Sequence, residues 1–399
     1  MGSYFAEVVK NMNNLGIDPV GAVISSVKDI YTRPEKEIEE IKAHLIYDNF
    51  KFHYENNAYY RGLCDEQGVT PDDVQTFKDL VKIPGIHVAR FKDVNSHQLL
   101  TKSIASLEHE LRSSGTSGIP SISRRDEATI NRTVLGIYAM YREFFKFFDG
   151  EAIFLAPSAE EMPEMGMVKV LSMFSGLMDG SHNVVKQATF VPEEVIELLN
   201  RWERIHTRHL IGPPFMIDRL LNYLRENDIR LKLDRKTKVI TLGGWKRYTG
   251  VEIDREQFNK ECAEYLGIKE DQVRDMYGLV ETNFMAIECE QHEKHVPPWV
   301  HFSVRAMEDL SKEVEDGEVG RLVILDPTSI SYPGFIITED LVFLSKDKGC
   351  SCGRNGQRIN YLFRIKGAEI GCCAINLEKH MDENEKSDGG EGFSVSCFC

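Results

Sequence analysis

The chain has 399 residues, of which 42% are hydrophobic, and a formal net charge of -15 at pH 7. This composition suits a folded protein with a large core, and an acidic balance without a Lys/Arg block excludes a nucleic-acid-binding protein. The N-terminus lacks a secretory signal, and no apolar stretch is long enough to span a membrane, so we expect a cytoplasmic protein without membrane insertion. The nine cysteines then favour metal binding, catalysis or buried thiols over disulfides.

The hydrophobic pattern, followed along the chain, predicts an α/β fold. Residues 6–80 have a helical period. Between residues 151 and 240, short apolar runs alternate with amphipathic stretches such as 192–205, as in strand–helix–strand units. After Trp299 the pattern changes to strands and turns, including a strand-like run at 335–344, which indicates a β-rich distal part. Residues 381–399 are acidic and weakly apolar, so a disordered tail is expected there.

A hydroxyl- and glycine-rich loop lies between two strand-like runs. It consists of Ser113, Ser114, Gly115, Thr116, Ser117 and Gly118. Glycines let backbone N–H groups face an anion, and the hydroxyls add donors, so the loop is a candidate phosphate-binding site. A flexible linker is the alternative. The flanks are unlike a linker, because Asp126 opens a long amphipathic stretch through residue 148 with the signal of a helix N-cap.

Three further motifs follow this loop in order. They are Leu242-Gly243-Gly244-Trp245-Lys246, Met276-Tyr277-Gly278-Leu279-Val280-Glu281-Thr282 and Ile337-Thr338-Glu339-Asp340. Together with the loop, they resemble the core motifs of adenylate-forming enzymes, in particular the LuxE-type acyl-protein synthetases, with the phenylacetate:CoA ligases as cousins. The resemblance runs from about residue 83 to residue 375. Its specificity lies in the ordered set, since no single motif would suffice.

The resemblance implies a division of the chain and a set of site residues. The division is a helical N-terminal layer at 1–80, an adenylate-forming core at 81–345, a short segment with an acyl-acceptor cysteine at 346–380 and the tail at 381–399. The resemblance implies that the loop at 113–118 binds the triphosphate of ATP, with Thr116 also catalytic, and that Glu281 binds Mg²⁺. It implies that adenine is bound by Gly243, Gly244 and Tyr277. It also implies that Asp340 binds the ribose hydroxyls and that Arg364 lies near ribose and phosphate. Without the motif order, a surface glutamate, an ordinary Gly-Gly turn and a core tyrosine are the simpler interpretations.

Two departures from the family pattern bear on function. Ser121 stands where many relatives carry a lysine, so some phosphate charge must be balanced elsewhere, with Arg124 and Arg125 as candidates. Only 59 residues follow Asp340, too few for the mobile domain that carries the catalytic lysine of larger relatives. LuxE-type enzymes are short in the same way, which favours that branch over a complete CoA ligase.

The segment Lys366-Gly367-Ala368-Glu369-Ile370-Gly371-Cys372-Cys373-Ala374 is the branch-specific feature. In LuxE-type proteins a cysteine in a similar Gly-Cys segment accepts the acyl group from the adenylate and passes it to a partner reductase. Cys372 matches best, and Cys373 remains the alternative. A thiolate is a strong nucleophile whose thioester can be transferred again, and nearby Lys366 and Arg364 would lower the thiol pKa if they face it. Two small buried side chains in a strand are the simpler interpretation.

A second group of cysteines and histidines has the composition of a zinc site. Its predicted ligands are Cys289, His295, Cys350 and Cys352, with His292 as the alternative histidine. Thiolates and imidazoles are the usual ligands of Zn²⁺, and phenylacetate:CoA ligases have a similar pairing. Solvated loop residues are the alternative. The remaining histidines form no triad signature and no Gly-x-Ser-x-Gly elbow is present, so a hydrolase is disfavoured.

These observations predict an ATP- and Mg²⁺-dependent acyl-protein synthetase with a possible structural Zn²⁺. It would convert a carboxylic acid, in this family a fatty acid, to acyl-AMP and transfer the acyl group to Cys372, with an acyl-accepting protein such as an acyl reductase as partner. A CoA ligase of the phenylacetate:CoA ligase type and a degenerate nucleotide- or acyl-binding module are the alternatives. A binding module would show no ATP–pyrophosphate exchange.

Overall fold

The computed structural model describes residues 11–12, 14–113, 120–146, 149–163, 165–245, 249, 251–365 and 373–388. The chain divides into two compact units. The first comprises Met1–Lys146 and Asp275–Ile370, and the second comprises Phe147–Arg274 and Gly371–Cys399. Among the described residues, no helix is long and apolar enough to cross a membrane.

The α-helices are numbered in chain order. They are α1 (Pro19–Ser25), α2 (Val27–Tyr31), α3 (Glu35–Asn56), α4 (Ala58–Glu66), α5 (Glu127–Phe145), α6 (Gly166–Ser172), α7 (Pro192–Arg201), α8 (Pro214–Glu226), α9 (Arg255–Leu266) and α10 (Cys373–Asp388). Short 3₁₀ helices lie at Pro71–Asp73, Phe77–Lys82, Val88–Lys92, Ser96–Leu99, Ile104–Ser106, Met173–Leu177 and Glu270–Gln272.

The strands are numbered in the same way. They are β1 (Ile86–His87), β2 (His109–Arg112), β3 (Ile122–Arg125), β4 (Glu151–Phe154), β5 (Gly180–Asn183), β6 (Val185–Lys186), β7 (Thr189–Phe190), β8 (Arg208–Gly212), β9 (Val239–Leu242), β10 (Val273–Tyr277), β11 (Ala286–Glu288), β12 (Lys294–His295), β13 (His301–Arg305), β14 (Gly320–Leu325), β15 (Phe335–Leu344) and β16 (Arg358–Arg364). The mixture of helices and strands confirms the predicted α/β class.

The first unit packs N-terminal helices and an antiparallel sheet. Its sheet has the order β13-β14-β15-β16-β12-β11-β10, with β1 parallel to β15. The 22-residue helix α3 lies in the stretch with the predicted helical period, and it buries apolar residues such as Ile38, Leu45 and Phe50. Strand β15 has the predicted bounds, and its inner residues alternate with half-buried ones from Thr338 onward.

The second unit is built from the strand–helix–strand repeats that the sequence predicted. Strands β9, β8, β4 and β5 form a parallel sheet in that order. All residues of β8 and β9 are buried, as is typical of parallel strands that are covered on both faces. Helix α7 ends at Arg201, short of the residue 205 that the amphipathic pattern suggested, and Arg204 then has a positive φ of 65°.

Helix α10 belongs to the second unit and forms the C-terminal part of the described chain. Leu377 and Met381 are almost completely buried, and Arg219 on α8 forms an ion pair with Asp382. The helix extends past residue 380, where the sequence predicted the tail to begin, and ends at Asp388. Residues 389–399, with Cys397 and Cys399, lie outside the described part of the chain.

Candidate functional sites

Three of the predicted nucleotide residues meet where the ends of β10 and β16 lie beside the middle of β15. Asp340 is paired with Arg364 across the β15–β16 ladder. The Tyr277 hydroxyl donates to Asp340 Oδ2 at 2.7 Å, and Arg364 Nε donates to Oδ1 at 3.3 Å. The Asp340 side chain is only 3% exposed, whereas that of Arg364 is 32% exposed. The structure therefore gathers these residues, which lie up to 87 positions apart in the chain, around one carboxylate.

The electrostatics of this group follow from burial. The pKa of Tyr277 is raised well above its ordinary value because the phenol is buried and lies beside the Asp340 carboxylate. The hydroxyl therefore stays protonated and donates to Asp340. Each Asp340 oxygen has one donor, and a carboxylate oxygen can accept more than one hydrogen bond, so further donors such as ribose hydroxyls fit this acceptor.

Glu281, four residues after Tyr277, lies in a turn. The residue is 5% exposed. Within the described ranges, no hydrogen bond or ion pair reaches its carboxylate, although the Tyr332 hydroxyl donates to its main-chain oxygen at 3.0 Å. A carboxylate without a cationic partner in a largely buried residue is available to a hard divalent cation, which prefers such oxygen ligands. The donor chemistry therefore fits Mg²⁺.

The candidate phosphate loop is bracketed by the antiparallel pair β2–β3, as the sequence predicted. Ser113 donates its main-chain N–H to Ser121 O at 3.0 Å, and its hydroxyl accepts from Ser121 N at 2.8 Å. Ser113 thus closes the base of the loop. The other loop residues in the prediction, Ser114, Gly115, Thr116, Ser117 and Gly118, lie outside the described residues.

The two arginines suggested as substitutes for the missing lysine have other partners. Arg124 Nε donates to Glu110 Oε2 at 2.9 Å. Arg125 is completely buried and donates to Asn283 and to main-chain oxygens of the Glu281 turn. The guanidinium of Arg125 is therefore bound to the turn that carries the predicted Mg²⁺ ligand.

In the second unit, Gly243 and Gly244 follow directly after β9. Gly243 has a φ of 110°, and a Cβ at this position would lie 2.9 Å from Ala374 Cβ and 3.1 Å from Met167 Sδ. Only glycine fits this backbone conformation and this space. The close approach brings Gly243 beside the first turn of α10, which starts at Cys373. Cys372 and the side chain of Cys373 lie outside the part of the chain that is described.

The four residues predicted as zinc ligands form one cluster in the first unit. One potential ligand atom from each of Cys289, His295, Cys350 and Cys352 lies within 4.8 Å of all the others. Cys289 Sγ is 3.8 Å from Cys350 Sγ, and Cys352 Sγ is 3.4 Å from His295 Nε2. This donor set and spacing fit a tetrahedral metal site with a closed shell of ligands.

Two tight turns bring the cluster together. In one, Cys289 N–H donates to Glu293 O at 2.9 Å, and Gln291 N–H donates to Cys289 Sγ at 3.4 Å. In the other, Cys350 N–H donates to Arg354 O at 2.9 Å. The ring of His295 packs against the rings of Tyr31 and Phe144, with distances between ring centroids of 5.9 and 5.3 Å. For the alternative ligand His292, the ring atom Nδ1 instead lies 3.7 Å from Glu288 Oε1.

The protonation of the thiols is coupled. The pKa of Cys352 is lowered because its sulfur accepts a hydrogen bond from Cys289 and lies near His295, whereas the same hydrogen bond and burial raise the pKa of Cys289. The cluster thus favours at least one thiolate, the form of cysteine that binds metals.

Two other described cysteines are isolated and buried. Burial raises the pKa of Cys64 to about 12, and it raises the pKa of Cys262 still further. Neither is exposed to solvent. Both are therefore unsuited to act as nucleophiles.

The sequence did not indicate that the side chains of Tyr332 and Arg125 hold the Glu281 turn. Tyr332 is 51 positions from Glu281, and Arg125 is 155 positions from Val280. No local pattern connects such distant positions. The only sequence signal was the position of Arg125 shortly after the candidate phosphate loop.

The chain is similar to one protein family over nearly its whole length. The family described as Acyl-protein synthetase, LuxE, matches residues 10–382. A long-chain-fatty-acid–luciferin-component ligase of Aliivibrio fischeri is 32% identical over 362 residues, which cover 89% of this chain and 93% of the relative. The protein of the same name from Vibrio harveyi is 29% identical over 360 residues, which cover 89% of this chain and 91% of the relative.

The fold is similar to that of solved 2-hydroxyisobutyryl-CoA ligase structures. The structure of that ligase with 2-HIB-AMP and CoA in the thioesterification state has a TM-score of 0.66 at 15% identity, covering 85% of this chain and 70% of the other. Its open conformation has a TM-score of 0.63, covering 85% of this chain and 77% of the other. The chain therefore has the fold of adenylate-forming ligases.

Proposed function

Because the chain belongs to the LuxE family of acyl-protein synthetases, we propose that it is a ligase that activates a long-chain fatty acid with ATP and transfers it to a protein cysteine. In the first step a carboxylate oxygen attacks the α-phosphorus of ATP, the bond to the β-phosphate oxygen breaks, and acyl-AMP and pyrophosphate form. In the second step a thiolate sulfur attacks the acyl carbonyl carbon, AMP leaves, and a thioester forms.

The observation that carries this proposal is the arrangement of Tyr277 and Arg364 around the Asp340 carboxylate. The motifs assign these residues to adenine, ribose and phosphate, and their side chains are within hydrogen-bond distance of one another. We assign Asp340 to the ribose hydroxyls, Tyr277 to adenine and Arg364 to the ribose and phosphate region. Gly243 and Gly244 are assigned to the adenine as well, where a backbone free of side chains allows close approach.

Joining two anions requires charge stabilisation at the α-phosphate. We assign the loop at residues 113–118, including Thr116, to the triphosphate and the departing pyrophosphate. Glu281 would hold Mg²⁺, which supplies electrostatic stabilisation of the phosphate oxygens. The support is that Glu281 is a largely buried residue whose carboxylate has no hydrogen-bond partner among the described residues.

For the second step we assign Cys372 as the acyl acceptor. Of the other cysteines described with their side chains, Cys64 and Cys262 are buried with raised pKa values, and the remaining three belong to the Cys/His cluster. The start of α10 beside Gly243 supports the assignment, because it brings the chain next to Cys372 close to a motif assigned to the nucleotide. An acyl-accepting protein such as an acyl reductase would then take the acyl group from the thioester.

We assign Cys289, His295, Cys350 and Cys352 to a structural Zn²⁺. The support is a donor set of three thiols and one imidazole, all within 4.8 Å of one another. Such a set leaves no open position for a substrate, so the metal would stabilise the fold of the first unit rather than take part in acyl transfer.

The test is the mass of the intact protein after incubation with MgATP and fatty acids of different chain length. We expect an acyl adduct on the parent protein that hydroxylamine removes, because hydroxylamine cleaves thioesters. Cys372→Ser should carry no adduct but should retain acid-dependent ATP–pyrophosphate exchange. Cys373→Ser is the matched control and should still be acylated.

Other results would select the alternatives. Pyrophosphate exchange without an adduct on any variant, together with acyl-CoA formation when CoA is added, would identify a carboxylate:CoA ligase. An adduct that is lost in Cys373→Ser but kept in Cys372→Ser would identify Cys373 as the acyl acceptor. Neither exchange nor adduct with any acid would contradict the proposed reaction and favour a binding module.

A further inference from the structure

Three successive main-chain oxygens of the Glu281 turn are bound by two side chains from distant parts of the first unit. Arg125 donates through one terminal nitrogen to Val280 O at 2.7 Å and to Thr282 O at 2.9 Å. The Tyr332 hydroxyl donates to the oxygen between them, Glu281 O, at 3.0 Å. We call Arg125 and Tyr332 the turn clamp.

The clamp is itself fixed by buried contacts. Arg125 Nε donates to Asn283 Oδ1 at 2.5 Å, and its guanidinium lies 5.8 Å from the centre of the Tyr332 ring. The Ser123 hydroxyl donates to the Tyr332 oxygen at 2.8 Å. Arg125 and Tyr332 are both completely buried, so water does not compete for these hydrogen bonds.

The other side of the turn is held in the same way. Asn283 N–H donates to Asp326 Oδ2 at 3.1 Å, and Thr282 Oγ1 bridges back to Leu279. Every main-chain oxygen from residue 279 to residue 282 is thus bound, while the Glu281 carboxylate between them has no hydrogen-bond partner among the described residues. A rigid backbone with one unpaired acidic side chain is the arrangement of a preorganised ligand.

We propose that Arg125 and Tyr332 are positioning residues that hold the Glu281 carboxylate in place for the divalent cation. The inference rests on the proposed role of Glu281 and adds to it the residues through which the site is assembled. Preorganisation matters because a carboxylate that is already fixed loses little conformational freedom when the cation binds.

Strand β3 contributes to both members of the turn clamp. Arg125 is the last residue of β3, and β3 follows the loop assigned to the triphosphate. Ser123 on the same strand fixes Tyr332. One strand therefore carries both Arg125 and the serine that fixes Tyr332, so β3 supports both members of the turn clamp.

The test measures cation binding without turnover. Mn²⁺ serves as the probe, because the fraction of free Mn²⁺ can be read by electron paramagnetic resonance in the presence of a nonhydrolysable ATP analogue. We expect Tyr332→Phe and Arg125→Lys each to raise the Mn²⁺ dissociation constant, by about tenfold for Arg125→Lys, which loses hydrogen bonds from a charged donor. Arg124→Met, at the neighbouring position paired with Glu110, is the matched control and should bind as the parent does.

A double-mutant cycle distinguishes a positioning role of the turn clamp from a purely structural role. If Arg125 and Tyr332 act through Glu281, their substitutions should have no further effect on Mn²⁺ binding in a Glu281→Gln background. Equal effects in both backgrounds, or unchanged binding in folded Tyr332→Phe and Arg125→Lys, would overturn the inference while leaving the acyl-transfer reaction intact. If Glu281→Gln itself binds Mn²⁺ like the parent, the assigned role of Glu281 fails, and the inference fails with it.

Discussion

The Cys/His cluster and the group around Asp340 and Glu281 are both polar and largely buried in the first unit, but they differ in what completes them. In the cluster, each donor faces the other donors. Around Asp340, Arg364 is one-third exposed, and the Glu281 carboxylate has no hydrogen-bond partner within the described ranges. The first region is closed around its own centre, and the second is open to a ligand. Burial alone therefore does not distinguish a stabilising site from a binding site, whereas the partners of the polar groups do.

The strongest test of the comparison removes the cluster. We expect the parent protein to bind about one zinc per chain, and Cys352→Ser, or a chelator, should remove it. The free energy of unfolding should fall by more than about 3 kcal/mol, because a metal that binds only the folded state adds its binding energy to stability. Metal analysis and thermal unfolding measure the two effects.

The control for the cluster is His292→Ala, which changes the histidine that lies beside Glu288. It should keep the zinc and the unfolding temperature of the parent. Zinc loss in this variant, or a stable zinc-free Cys352→Ser protein, would contradict a closed structural site.

Glu281→Gln tests the open region. It should lower ATP–pyrophosphate exchange by about 10²- to 10³-fold, because the phosphate charge loses stabilisation by the bound cation. Thermal unfolding should be unchanged, since no hydrogen bond or ion pair from the described residues reaches the carboxylate. A variant that loses stability but keeps exchange would place Glu281 with the structural residues and break the comparison.

Asp340→Asn should have a smaller effect on exchange. An amide keeps one acceptor but loses the charge that Arg364 faces, so we expect the KM for ATP to rise about tenfold with a modest change in kcat. Glu339→Gln is the matched control, because it changes the neighbouring acid on β15 and should leave KM unchanged. Steady-state exchange kinetics at varied ATP decide between these outcomes.

Lys42 supplies the smallest test, because it is a buried ionisable group that belongs to neither region. The residue is 2% exposed and donates to Gln357 Oε1 at 2.8 Å. Burial, and to a lesser extent Lys348, lowers the pKa of Lys42 to about 7. Between pH 7 and about 10.4, the unfolded chain therefore binds more protons at this residue than the folded one, and its destabilising effect decreases as pH rises.

Lys42→Met should therefore be more stable than the parent at pH 7, by on the order of 1–3 kcal/mol. This advantage should shrink as the pH approaches 9. Urea unfolding of both proteins at several pH values measures the difference, in which the titration of the other groups cancels. A difference that does not depend on pH would show that Lys42 is charged in the folded protein throughout this range.

Local chemistry explains which elements could be predicted. The Asp126 side chain accepts from Thr129 N at 3.0 Å and begins α5 as the sequence indicated, and the apolar run of β15 has the predicted bounds. Helix α10 was partly missed, because its polar sequence has little periodic signal. Its described side chains include buried ones, such as Met381. Its burial depends on partners that are distant in the chain.

The sequence by itself determined the α/β class, the family and the set of chemically capable residues, because these follow from periodicity and from motif order. Only the tertiary structure decided which of them meet. It brought His295, rather than His292, to the three thiols, and it joined Arg125 and Tyr332 on the Glu281 turn. The physical reason is that hydrogen bonds and metal sites require distances of a few ångströms, which strand pairing and packing set between residues far apart in the chain.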